Sequence, residues 1–123
     1  MAKKSTNIID IDLSVTKKKQ FRIDGDDNRI IELNTSDMTI IERLNETYPK
    51  LESLSAKVSE VSSDDVDAGV KALKEVDNEM RELLDYIFDS PISSICAPDG
   101  SMYDLFNGEF RFEHIITVLL NLY

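Results

Sequence analysis

Apolar residues alternate with polar ones in the first third of the chain and then recur every three or four positions; the changeover falls at Thr35. Ile9, Ile11, Leu13 and Val15 are separated by Asp10, Asp12 and Ser14, a period of two that sends apolar side chains to one face of a strand. Phe21 and Ile23 continue the alternation beyond Lys17-Lys18-Lys19, and Asp24-Gly25-Asp26-Asp27-Asn28 carries turn chemistry. Residues 29–33 then return as Arg-Ile-Ile-Glu-Leu. Residues 1–34 therefore read as a small antiparallel β meander of three strands.

Thr35-Ser36-Asp37 offers oxygens that accept the free N–H groups of a helix start. Met38, Ile41, Leu44, Tyr48 and Leu51 follow at helical spacing, with Pro49 predicted to bend or end the helix near Tyr48. Serines 53, 55, 59, 62 and 63 dilute the next stretch into a frayed continuation or linker. Ser63-Asp64-Asp65 starts a second helix whose stripe is Val66, Val70, Leu73, Met80, Leu84 and Ile87. Asp77 interrupts its seam, which favours a packed helix pair over an extended coiled coil. Ser90-Pro91 and Ala97-Pro98-Asp99-Gly100 mark a loop near 89–100. A short helix is expected over residues 101–106, with Met102, Leu105 and Phe106 inward, and a last helix from Glu109 to the terminus. The fold class is α+β, a single domain over residues 1–123 with a mainly α-helical body from residue 35.

Composition sharpens this picture. Residues 1–34 carry seven Lys/Arg against six Asp/Glu, whereas residues 35–123 carry seven against eighteen, within a formal charge of −10. Such a surface repels nucleic-acid phosphates, so nucleic-acid binding is disfavoured. The lysine run reads as a solvated connection that discourages edge pairing. Cys96 is the single cysteine, no leader pattern opens the chain, and residues 115–120 are far too few to span a bilayer. A reducing interior and no membrane contact are expected.

Motifs for chemistry fail on inspection. Asp24, Asp26 and Asn28 match the first, third and fifth positions of a calcium loop, but Arg29 stands where glycine is needed and Thr35 where a chelating glutamate belongs. Cys96 and His114 are eighteen positions apart with no activating motif, and together they are too few for a zinc site. The four glycines form no phosphate cradle. No catalytic, cofactor or metal site is expected, and the chain reads as a binding protein.

The last helix supplies the candidate surface. Phe112, Ile115, Ile116, Val118, Leu119, Leu120, Leu122 and Tyr123 sweep roughly 200° of a wheel on which a surface helix needs a stripe only somewhat over about 100° wide. The excess has to be covered on two sides, by the rest of this domain or by another chain, and another chain is expected to cover part of it. Phe112, Ile116, Leu119, Leu120 and Tyr123 are the candidate partner-binding residues.

The runs Asp12-Leu13-Ser14-Val15-Thr16-Lys17-Lys18-Lys19, Phe21-Arg22-Ile23-Asp24-Gly25-Asp26-Asp27-Asn28-Arg29 and Asn34-Thr35-Ser36-Asp37-Met38 come in a familiar order. With Leu83-Leu84-Asp85-Tyr86-Ile87-Phe88-Asp89 and the apolar last helix, that order resembles the small tail assembly chaperones encoded by siphophages and prophages of Gram-positive bacteria. The resemblance implies a short-form, non-catalytic chaperone that binds the hydrophobic tape measure protein and helps recruit tail tube subunits. It also implies self-association and action in the cytoplasm of the bacterial host, with departure before the virion matures. A structural head–tail connector or tail completion protein, retained in the particle, is the alternative.

Overall fold

The computed structural model describes residues 7–13, 18–61 and 64–123. Strands β1 (Lys19–Ile23) and β2 (Asp26–Leu33) form an antiparallel hairpin, followed by helices α1 (Ile40–Glu60), α2 (Val66–Phe88) and α3 (Ser93–Cys96). A second hairpin, β3 (Leu105–Phe106) with β4 (Glu109–Phe110), leads into α4 (Arg111–Leu120). The fold is α+β, with a two-strand hairpin before a mostly helical body.

The first hairpin turns on Asp24 and Gly25, at φ 53° and 70°. Positive φ at both central residues matches the twist of paired strands, and glycine adopts it without a Cβ clash. Phe21 lies opposite Ile31, and Ile31 and Leu33 are buried, so one face of the hairpin joins the core. The expected third strand is not formed: residues 9–13 run without strand pairing, and Val15 falls outside the described residues. Alternation specifies which face of a strand is apolar but supplies no partner edge.

Pro49 lies inside α1 and does not end it; of the expected bend or end, the end does not occur, and the serine-rich stretch through Ser59 is the helical continuation and not a linker. Proline removes one helical N–H bond, yet Leu51 and Leu54 beyond it are buried, and burying each leucine stabilises by about 1.5–3 kcal/mol. The serines also return to the helix, Ser55 Oγ donating to the Leu51 carbonyl at 2.9 Å. α2 begins as the sequence predicts, with the Asp65 carboxylate accepting the Ala68 N–H at 3.1 Å. It packs along α1, and Val76, Met80, Leu84, Ile87 and Phe88 are its buried residues. Met38, Ile41, Tyr48, Val66 and Val70, assigned to the inward stripes, are exposed because they lie at element starts or on the far side of α1 and α2.

The connector between α2 and α4 is irregular, and arginines from four places hold carbonyls along it and in the last turn of α2 that leads into it. Arg43 donates to the Ile87 carbonyl at 2.8 Å, and Arg29 to those of Ile95 and Cys96 at 2.9 and 3.1 Å. Arg81 donates to the Ala97 and Gly100 carbonyls at 2.9 and 3.2 Å, and Arg111 to that of Asp99. Asp77, the seam breaker, faces this connector: it accepts the Met102 N–H at 2.7 Å and pairs with Arg81 at 3.0 Å. One helical spacing further on, Asp85 accepts both the N–H and the hydroxyl of Ser93. The expected loop near 89–100 thus contains α3, and residues 101–106 form a turn and β3 in place of the expected helix.

Candidate functional site

β3 and β4 turn on Asn107 and Gly108, at φ 50° and 86°. An Asn-Gly pair between apolar residues is a strong hairpin signal, and it explains why this stretch is not helical. The hairpin holds Met102 in the core but turns Leu105 and Phe106 outward, so that of the three expected inward residues only Met102 is buried. It also delays the last helix, which starts at Arg111 and not at Glu109.

Between this hairpin, α4 and the end of β1 lies an open groove of about 630 Å³. Leu105, Phe106, Ile115 and Val118 supply its apolar surface, with Arg22, Arg111 and Asp104 at the rim. The His114 ring sits 4.5 Å from that of Phe106, and its Nδ1 is 3.2 Å from a Glu109 carboxylate oxygen. Hydrogen bonds from the Ser101 hydroxyl and N–H hold the Asp104 carboxyl below its usual range. A depression between α1 and α2 is bordered by Lys57, Glu60, Glu75 and Glu79, a charged rim suited to solvent.

The residues singled out on the last helix are divided by the fold. Phe112 and Leu119 are core, 2% and 5% exposed. Ile116, Leu120 and Tyr123 are half-buried against that core, Tyr123 with its ring 6.1 Å from that of Phe88. What the domain leaves uncovered is Val118 on this helix and Leu122 in the turn beyond it, 48% and 41% exposed. The excess arc is real but narrower than the wheel implies, and it lies on a different side from Phe112 and Leu119. Leu105 and Phe106 extend it, and their signal in the sequence was the Asn107-Gly108 turn.

Cys96 and His114 line the same groove. Burial, only partly offset by the Arg29 guanidinium, pushes the Cys96 thiol up from 9.0 to about 11. The thiol therefore stays protonated near neutrality and is a weak nucleophile. Because the folded state holds this proton more tightly, its contribution to stability is intact below about pH 9 and is lost as pH climbs toward about 11. At pH 8 we expect iodoacetamide to alkylate Cys96 slower in the folded protein than in the urea-unfolded chain by on the order of a hundredfold, read by mass spectrometry. Equal rates would show the thiol to be accessible and ionised.

Among the described residues no three His, Cys, Asp or Glu side chains gather so as to hold a metal ion, and no helix is long and apolar enough to cross a membrane. Comparison with protein-family models, with curated proteins and with solved structures finds no match.

Proposed function

We propose that the protein is a non-catalytic assembly chaperone that receives an apolar segment of a longer polypeptide in the groove beside α4. Its client is the hydrophobic tape measure protein of a siphophage tail, around which it helps recruit tail tube subunits. The observation that supports this reading is the shared exposure of Leu105, Phe106 and Val118, at 72%, 49% and 48%, on a protein of formal charge −10. An apolar patch with a charged rim binds greasy segments, and a strongly negative exterior keeps the resulting complex dispersed. Such a protein works in the cytoplasm of the bacterial host and leaves before the particle is complete. A head–tail connector stays, so stoichiometric recovery from purified particles would replace this reading with that one.

Co-expression with the tape measure protein tests it directly. The native chain should keep the client in the soluble fraction. Leu105→Asp combined with Val118→Asp should return it to the pellet while leaving the circular dichroism and melting of the chaperone unchanged, because both side chains are exposed. Undiminished solubilisation by the double variant would remove the groove from the reading.

A further inference from the structure

We propose that residues 8–13 of one molecule add as a strand to the free edge of β1 in a second copy, which returns its own strand in the same way. The product is a two-fold, strand-exchanged dimer. This goes beyond the chaperone reading and does not depend on it.

Ile8, Ile9, Ile11 and Leu13 are 69%, 87%, 76% and 79% exposed, four large apolar side chains within six residues. They carry the alternation of a strand, yet in the single chain they pair with nothing as one. Among the described residues β1 has a strand on one side only, its pairing being with β2, against which α3 packs. Among the described residues no backbone hydrogen bond reaches the outer side of β1. An open edge of this kind is a template for an added strand.

The residues on the two strands are complementary. An antiparallel register that sets Ile11 opposite Phe21 also sets Ile9 opposite Ile23 and Asp10 opposite Arg22. Phe21 and Ile23 are half-buried against the core, so Ile9 and Ile11 extend the apolar face. Asp10 and Asp12 then share the outer face with Arg22 and Gln20, beside a strand introduced by Lys18 and Lys19. In a chain of charge −10 this is where an acidic strand meets attraction instead of repulsion. Arg22 already pairs with Asp27 at 2.9 Å, but that contact is exposed and little is lost by sharing it. A slip of one residue would turn the carboxylates toward Phe21, which fixes the register.

The connecting sequence favours exchange over closure on the same chain. Among the described residues both hairpin turns use a pair at positive φ, Asp24-Gly25 and Asn107-Gly108. Ser14-Val15-Thr16-Lys17-Lys18, which joins the segment to β1, has no Gly, Asn, Asp or Pro, and two of its residues are β-branched. The residues that favour a tight two-residue primed turn are therefore missing between the segment and β1, and pairing with a neighbour needs no such turn. Exchange of identical strands closes a dimer with the contacts a third strand would make at home.

Light scattering and sedimentation equilibrium of the full chain over a concentration series test the proposal. A dimer is expected, and Ile11→Asp should raise its dissociation constant by about tenfold or more without altering the helical circular dichroism. Asp10→Arg should weaken it, and adding Arg22→Asp should restore it. Amides of residues 8–13 and 19–23 should resist hydrogen exchange in the dimer and lose that protection in Ile11→Asp. A monomer at every concentration, a dimer indifferent to Ile11→Asp, or protection of residues 8–13 within a monomer would each overturn the proposal, the last by showing closure in one chain. Arg22 and Ile23 border both the added strand and the groove, so the dimer is scored on Ile11→Asp and client solubilisation on Leu105→Asp with Val118→Asp, and each reading fails on its own variant.

Discussion

Leu119→Asp unfolds the protein, whereas Val118→Asp, one position away, leaves it folded. Leu119 is 5% exposed in the same core as Phe112, Met80 and Leu84. Removing a buried leucine costs about 2–5 kcal/mol, and an unpaired carboxylate in its place costs more. A loss above about 4 kcal/mol takes a large share, and at the low end nearly all, of the roughly 5–15 kcal/mol that holds such a domain together. Circular dichroism should show the helical signal collapsing, or a melting temperature lowered by more than about 15 °C. Val118 is 48% exposed, and its replacement should move the melting point by only a few degrees. The wheel alone would have made Leu119→Asp a clean disruptor of association with the helix intact. A folded, thermally unchanged Leu119→Asp protein would return this face to the partner surface and contradict the packing described above.

Arg81→Met carries the next largest effect. The guanidinium is about one-fifth exposed and serves Asp77, the Ala97 and Gly100 carbonyls and, at 3.4 Å, that of Ser93. Methionine keeps the apolar stem but leaves a carboxylate and several carbonyls without their donor. With hydrogen bonds to charged groups each contributing about 1.5–3 kcal/mol, and with solvent reaching part of the site, we expect a loss of about 2–4 kcal/mol in urea unfolding. Arg81→Lys should recover only a fraction, because one ammonium cannot span the positions that a planar fork reaches. The Met102 amide, bonded to Asp77, should exchange faster in both variants. A lysine variant as stable as the native chain would show that charge alone, and not the fork, holds the connector.

The fold class was legible because it rests on periodicity. The stripe of Met80, Leu84 and Ile87 lies where its spacing puts it, and the Asp65 cap was visible as a short acidic cluster. Boundaries were not legible where tertiary packing overrides local preference. Pro49 argues for a helix end, and only the burial of Leu51 and Leu54 argues against it. The candidate surface was half legible, since a wheel reports how wide an apolar arc is but not which part the rest of the chain covers. Phe112 and Leu119 went inward, into the core that Met80 and Leu84 of α2 share, whereas Val118 faces the groove beside Leu105 and Phe106 and Leu122 stays exposed. The Asn107-Gly108 turn was readable and places Leu105 at the surface. The arginine contacts were not readable, because their partners are backbone carbonyls up to 67 residues away.

Those contacts also have a direction along the chain. Arg29, Arg43 and Arg81 all precede the carbonyls they hold, and Arg111 alone follows its acceptor. Each of those three therefore reaches forward from the hairpin or helices to backbone that follows it in the chain. The last clamp closes only with α4, so a chain cut before Arg111 would keep the Arg29 and Arg81 contacts to the connector while the Asp99 carbonyl lost its donor.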